Sequence, residues 1–132
     1  MVRMKLSRIV ITETSENQMI VLKEVDGDRQ FPIYIAIYEA TAIDRGIKEF
    51  RAPRPLTHDL LCSVIAALGA ELERVVVCDL RGGTYYAKLV LKRDGSAIEV
   101  DARPSDSIAI ATQLGVPIYV AEEVLEQVCK EQ

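Results

Sequence analysis

Three short dipeptides constrain the fold of this chain more than any other feature. They are Asp26-Gly27, Gly82-Gly83 and Asp94-Gly95, and each is flanked by runs rich in β-forming residues. Such pairs suit the positive φ angles of tight hairpin turns. They predict two triplets of strands, at about 2–13, 18–25, 30–37, 72–80, 84–92 and 97–102.

Strict alternation of apolar residues marks the third strand of each predicted triplet. Because side chains alternate between the two faces of a strand, this pattern predicts one buried face. The alternating residues are Phe31, Ile33, Ile35 and Ile37 in the first triplet, and Ile98, Val100 and Ala102 in the second.

A helix is predicted after each triplet, over Glu39–Gly46 and Ser105–Leu114. A third helix runs over Thr57–Gly69, and a fourth begins near Ala121. Apolar residues at helical spacing support the third one. They are Leu60, Leu61, Val64, Ile65 and Leu68.

Sliding the chain along itself indicates an internal duplication. Glu39 then falls on Asp106, each opening a helix, and the Asp-Gly turns align within one residue. We therefore predict an α+β fold of two β-β-β-α copies, about 2–69 and 72–132, related by a pseudo-twofold axis. The sheet is expected to be mainly antiparallel, with helices packed against it. Chance similarity of two β-rich stretches is the alternative.

Composition favours one folded domain over residues 1–132, with 49% hydrophobic and 27% charged residues. The net charge of −4 argues against a protein coated in positive charge for nucleic-acid binding. No apolar run approaches the roughly 18 residues that a membrane span requires, and the start lacks a signal-peptide pattern. A cytoplasmic location without membrane contact is expected.

The two copies differ on one strand face. The sixth strand places Glu99, Asp101 and Arg103 there, where the third strand has Pro32, Tyr34 and Ala36. In one interpretation the charged face is solvated and the apolar face is covered by a helix or another subunit. In the other, Asp101, Arg103 and the nearby Asp106 form a site.

The segment 45–59 is the best phosphate-binding candidate of the chain. Arg45, Lys48, Arg51 and Arg54 recur at every third position before a helix N-terminus, where anions are favoured. A solvated linker that happens to be basic is the alternative. His58 follows as the only histidine, so imidazole chemistry would have to use it.

Residues 54–61 (RPLTHDLL) and 101–109 (DARPSDSIA) together resemble the bifunctional nuclease domain family. By this resemblance, Arg54, His58 and Asp59 match the first motif, and Asp101, Arg103 and Asp106 the second. Ser107 departs from the alanine expected there. The resemblance implies a duplicated β3–α fold, homo-oligomers with a dimer favoured, and cleavage of DNA and RNA.

Two functional hypotheses follow. In the first, the protein is a nuclease, and Mg²⁺ or Mn²⁺ is its possible cofactor. The second is a non-catalytic homo-oligomeric binding module, in which Asp101–Arg103 is a structural ion pair and Asp106 caps its helix. The nuclease hypothesis assigns phosphate binding to Arg54, Arg103, Arg51 and Lys48, catalysis to His58, Asp59, Asp101 and Asp106, and cation binding to Glu39, Asp101 and Asp106.

Overall fold

A computed structural model describes residues 1–12, 14, 17–49 and 52–129. Its strands are β1 (Val2–Val10), β2 (Asn17–Glu24), β3 (Gln30–Ala36), β4 (Glu71–Arg81), β5 (Thr84–Arg93), β6 (Ser96–Ala102) and β7 (Ile118–Val120). Its helices are α1 (Ile37–Ile47), α2 (Thr57–Ala67), α3 (Pro104–Leu114) and α4 (Glu122–Cys129). The predicted α+β class is confirmed.

All seven strands form one mixed sheet in the order β3-β2-β1-β7-β4-β5-β6. Every pairing is antiparallel except that of β4 with β7, which is parallel. The two triplets therefore lie on either side of β7, a strand of three residues that the sequence patterns did not predict. The internal duplication stays a prediction, because strand order alone does not measure the likeness of two copies.

The alternation prediction is confirmed for Phe31, Ile33 and Ile35 of β3. It is wrong for Ile37, which is 40% exposed and begins α1, and for β6. Phe31, Ile33 and Ile35 are buried, whereas Ile98 and Val100 are 38% and 40% exposed. Both strands lie at the edges of the sheet. The physical reason is what covers them, since α1 and α4 pack on β3, whereas β6 packs mainly on its neighbour β5. An edge strand can keep an alternating pattern without a layer to cover it.

Element boundaries shift by a few residues from those predicted. Helix α1 begins at Ile37 rather than Glu39, which ends β3 one residue early. Helix α3 begins at Pro104, a residue type favoured at the first helical position because it needs no N–H partner there. The first strand ends at Val10, and position 13, its predicted end, lies outside the described residues.

Helix α3 is the centre of the helical layer. It packs against α1 and α2 and against β4 and β5. Seven of its eleven residues are buried: Pro104, Ser105, Ser107, Ile108, Ala109, Ile110 and Ala111. The helices in the described ranges have 8 to 11 residues, and none is long and apolar enough to cross a membrane.

Opposite halves of the sheet approach each other across the core. The rings of Phe31 in β3 and Tyr85 in β5 lie 5.7 Å apart, centroid to centroid. Helices α1 and α3, which follow directly after β3 and β6, pack on each other. The curvature of the sheet therefore brings the first turns of two helices from distant parts of the chain together.

Candidate functional site

Three helices carry a carboxylate at their third residue. These are Glu39 in α1, Asp59 in α2 and Asp106 in α3. Acidic residues are favoured in a first turn because they face the positive end of the helix dipole and the free backbone N–H groups. The common position alone therefore indicates no chemistry, and the partners of each carboxylate decide its role.

A polar chain of four side chains links the first turns of the three helices. His58 Nε2 lies 3.0 Å from Asp106 Oδ1. Arg103, the residue before α3, donates from Nε to Asp106 Oδ2 at 3.3 Å and from Nη2 to Glu39 Oε1 at 2.6 Å. We refer to His58–Asp106–Arg103–Glu39 as the polar chain. It joins the two predicted motifs in one place.

The contact with Asp106 sets the proton position on a neutral His58 ring. Asp106 also accepts a hydrogen bond from the Arg103 guanidinium, and a carboxylate can only accept. Nε2 must then carry the proton, and Nδ1 keeps its lone pair. His58 is therefore arranged as a histidine whose tautomer is held by an acid, with the opposite nitrogen able to take a proton.

Arg103 stays charged, and its contacts with Glu39 and Asp106 use only some of its N–H donors. The hydrogen bond to Glu39 and the nearby Asp106 carboxylate raise the pKa of Arg103 above its usual value. Two of the five guanidinium N–H groups are engaged, by Nε to Asp106 and Nη2 to Glu39. Since the side chain is 66% exposed, the remaining N–H groups are accessible to an anion.

Asp59, which is predicted as a catalytic residue beside His58, has both carboxylate oxygens hydrogen-bonded. Its Oδ2 accepts the backbone N–H of Leu56 at 2.9 Å, which closes the first turn of α2. Its Oδ1 accepts from Gln113 Nε2 at 2.8 Å. Both carboxylate oxygens are thus engaged in holding α2 in place.

The sequence motifs missed Gln113. It lies seven residues, or two helical turns, after Asp106, so both side chains lie on the same side of α3. There they bind consecutive residues of α2, namely Asp59 and His58. A search for polar residues at this spacing would have found it.

The predicted phosphate-binding residues are dispersed. Lys48 pairs with Asp44 at 2.9 Å within α1, and Arg51 lies outside the described residues. Arg54 is exposed, and the described part of the chain offers it no hydrogen bond or ion pair. Asp101 pairs with Lys88 in the sheet, but its exposed side chain makes no hydrogen bond or ion pair with the described residues, so the structure does not bring it into the polar chain.

Two depressions flank the polar chain. The larger, about 490 Å³, lies on the side of His58 and Asp59 and is walled by apolar residues such as Pro55 and Leu114. The smaller, about 340 Å³, lies on the side of Glu39 and Arg103. A ligand in either depression would contact one end of the polar chain.

The residues as arranged do not fit a divalent cation. Such ions require several oxygen ligands, but both Asp106 oxygens and Glu39 Oε1 are already bound by His58 or Arg103. Glu39 Oε2 is buried without a hydrogen-bond partner among the described residues. Within ranges 1–12, 17–49 and 52–129 no three His, Cys, Asp or Glu side chains are grouped to hold a metal. The cation site of Glu39, Asp101 and Asp106 stays a prediction.

Comparison with known sequences identifies the family. The profile of the bifunctional nuclease domain matches residues 20–132. The chain belongs to the bifunctional nuclease domain family. The matched range includes every member of the polar chain and both sequence motifs.

Relatives of this chain occur in bacteria and plants. An uncharacterized protein of Mycobacterium tuberculosis is 51% identical over 116 residues, which is 87% of this chain and 69% of that protein. Bifunctional nuclease 1 of Oryza sativa subsp. japonica is 27% identical over 118 residues, 86% of this chain. Bifunctional nuclease 2 of the same plant is 30% identical over 114 residues, 83% of this chain. The chain spans only 36% and 35% of these two plant proteins.

Proposed function

We propose that this protein is a nuclease that hydrolyses phosphodiester bonds of DNA or RNA at the polar chain. The observation that carries the proposal is the 3.0 Å contact between His58 and Asp106, which joins the two family motifs through a side chain suited to proton transfer. Arg103 on the same carboxylate adds a charged donor beside it. The names of the plant relatives support the same activity.

Each member of the polar chain has a role in the proposed reaction. His58 Nδ1 takes a proton from a water as the water oxygen attacks the phosphorus. The bond to the leaving oxygen breaks, and the leaving oxygen takes a proton from solvent. Asp106 holds the His58 tautomer and stabilises the imidazolium that forms. The unused N–H groups of Arg103 bind the phosphate oxygens as negative charge grows on them.

Glu39 positions Arg103 rather than contacting the substrate in this scheme. Its hydrogen bond of 2.6 Å holds the guanidinium at the mouth of the smaller depression. The exposed Arg54 would reach only phosphates further along a polymeric substrate, so we assign it to affinity and not to the chemical step.

The net formal charge of the polar chain depends on whether His58 is protonated. One guanidinium and two carboxylates leave the polar chain at −1 while His58 is neutral, and protonation of His58 brings it to zero. A phosphate is therefore repelled less by the protonated form.

A His58→Gln variant tests the proposal. The glutamine amide retains a donor for Asp106 but cannot take up a proton, so we expect cleavage to fall by about 100-fold or more. The control is Asp79→Asn, which changes an ionisable side chain of another ion pair, with Arg81 at 2.8 Å, on another part of the protein. Its activity should stay within about twofold of that of the unmodified protein.

The assay compares supercoiled DNA and single-stranded RNA, each with Mg²⁺, with Mn²⁺ and with EDTA. The three proteins are purified in parallel so that a contaminating nuclease would appear equally in all of them. Equal cleavage by the unmodified protein and the His58→Gln variant would reject the proposal. Activity confined to the Mg²⁺ or Mn²⁺ samples would require carboxylate oxygens to leave Arg103 for a cation.

A non-catalytic binding module is the second candidate. It is favoured by one observation, namely that Arg103 is already neutralised by Glu39 and Asp106, as in a structural ion pair. Absence of cleavage in every sample, with normal folding of the His58→Gln variant, would support this candidate.

A further inference from the structure

The smaller depression brings together one edge of the sheet and the turn of a distant hairpin. Residues 33–36 at the end of β3 line it, as do residues 83–85 at the turn between β4 and β5. Glu39 and Arg103 of the polar chain line it as well. Its volume of about 340 Å³ lies at the lower end of the range for small-molecule pockets. The depression therefore has room for one small group beside the cation that we assign to phosphate binding.

Charge within the smaller depression is balanced. Glu39 and Arg103 are the only charged residues among the described ones that line it, and they are hydrogen-bonded to each other at 2.6 Å. The other lining residues are apolar, such as Ile33, or polar without charge, such as Thr84. A second phosphate has no cation of its own there. An uncharged group with an apolar face and polar edges suits this lining, and a nucleobase is such a group.

Tyr34 provides an aromatic ring at the smaller depression. On β3 it lies between the buried Ile33 and Ile35, so its side chain points away from the core, and it is 66% exposed. It still lines the depression because β3 is the outer strand of the sheet and the depression follows that edge. Every base has a flat face that stacks on an aromatic ring. Tyr34 is therefore placed to stack on a base held beside Arg103.

Tyr85 forms a wall of the depression rather than a second stacking surface. Its ring packs on Phe31, with 5.7 Å between the ring centroids, and belongs to the edge of the hydrophobic core. Burial raises the pKa of its hydroxyl. Tyr34 and Tyr85 are the aromatic residues among those described that line the depression. Base stacking therefore depends on Tyr34, whose removal leaves the core intact.

The open edge of β3 suits the polar rim of a base. β3 pairs with β2 on one side only. An outer strand carries a row of backbone N–H and C=O groups that have no strand partner. Donors and acceptors alternate along such a row, so different bases find partners on it. We therefore expect binding with little preference among the bases.

We propose that the smaller depression is a nucleoside subsite, which holds the base and sugar of the nucleotide whose phosphate Arg103 binds, with the base stacked on Tyr34. The inference rests on the proposed function, because that function assigns the phosphate to Arg103. It adds the position of the neighbouring nucleoside. The larger depression, which His58 lines, is then left for the attacking water.

Isothermal titration with small nucleotides tests the subsite without any cleavage. The probes are adenosine 3′-monophosphate, adenosine 5′-monophosphate and ribose 5-phosphate, the last of which has a phosphate and a sugar but no base. One stacked base should make at least one adenosine monophosphate bind about fivefold to 150-fold more tightly than ribose 5-phosphate. Equal affinity for all three probes, or no nucleotide binding at millimolar concentrations, would overturn the proposal.

Tyr34→Ala separates the base from the phosphate. We expect it to reduce the affinity for the adenosine monophosphate to about that for ribose 5-phosphate, and to leave the affinity for ribose 5-phosphate unchanged. The matched control is Tyr38→Ala, which removes a tyrosine that is 85% exposed and lines neither depression. Its nucleotide affinity should stay within about twofold of that of the unmodified protein. Circular dichroism verifies that both variants fold.

Arg103→Met provides the complementary result. It removes the phosphate ligand, so it should weaken the adenosine monophosphate and ribose 5-phosphate by similar factors. Unchanged nucleotide affinity in Tyr34→Ala, or an equal loss in Tyr38→Ala, would reject the subsite.

The subsite and the nuclease can fail separately. Cleavage that requires His58, combined with nucleotide binding that ignores the base, would retain the nuclease and reject the subsite. Base-dependent binding that requires Tyr34, in a protein that cleaves neither DNA nor RNA, would retain the subsite and reject the nuclease.

Discussion

The first turns of α2 and α3 begin alike and differ in what their carboxylates bind. Asp59 and Asp106 both occupy the third helical position. Asp59 closes its own turn through the N–H of Leu56, whereas Asp106 binds Arg103 and reaches His58 of another helix. The residue before each helix accounts for the difference, because Leu56 offers only a backbone donor and Arg103 offers a guanidinium. The same position thus supports either a helix cap or a contact with another helix.

Substitution of the two aspartates would separate these roles. We expect Asp106→Asn to lower kcat/KM for nucleic-acid cleavage by about 100-fold to 10,000-fold, since the His58 tautomer and imidazolium lose their carboxylate. Asp59→Asn should instead lower the free energy of unfolding, by about 1 kcal/mol. Steady-state cleavage rates and urea unfolding of both variants provide the measurement. Similar losses of activity in the two would remove the distinction.

Removal of the guanidinium tests what holds the polar chain together. Arg103→Met leaves Asp106 and the largely buried Glu39 without their shared partner. We expect the free energy of unfolding to fall by about 1 kcal/mol, a modest value because the arginine is largely exposed and its ion pairs are screened. Arg54→Met serves as control and should change stability by less than about 0.5 kcal/mol. Equal urea midpoints for the two variants would contradict the proposed role of Arg103.

Helix α4 also carries a carboxylate in its first turn, and its substitution has the smallest expected effect on stability. Glu122, its first residue, accepts two hydrogen bonds from Arg29, at 2.9 and 3.0 Å. These bonds lower the pKa of Glu122. A lowered pKa contributes stability above the unfolded value of about 4.3, and this contribution is lost as the pH falls through the folded value.

The melting temperature of Glu122→Gln should therefore lie slightly below that of the unmodified protein at pH 7. The two should converge as the pH falls below about 4. Thermal unfolding followed at both pH values measures this. A difference that persists at acidic pH would mean that packing, and not charge, connects Glu122 to Arg29.

Local patterns in the sequence predicted most of the fold. Turn dipeptides and alternation located six strands correctly, because hairpins are local structures whose turn residues adjoin their strands. The exposure of Ile98 and Val100 was predicted wrongly, since nothing within β6 reports whether a helix covers it. Strand β7 was missed because three residues are too few for a period to emerge.

The site could be predicted only in part. Motif resemblance named His58, Arg103 and Asp106, the internal alignment singled out Glu39, and the structure brings these four together. The predictions also included Asp101 and Lys48, which make no contact with the polar chain. Distances between helix starts depend on the curvature of the whole sheet, and no sequence spacing contains that information. The apolar periodicity of α2 similarly predicted a helix but not which of its faces would be uncovered.

The position of β7 has a consequence for how the protein assembles during synthesis. β7 lies between β1 and β4, yet it leaves the ribosome after all six other strands. Until then the two triplets can form only as separate hairpin units, each with one inner edge open. Their union is a late event of high contact order, which makes it the expected slow step of folding. During that interval the open edges of β1 and β4 are the places where a nascent chain would most readily pair with a neighbour.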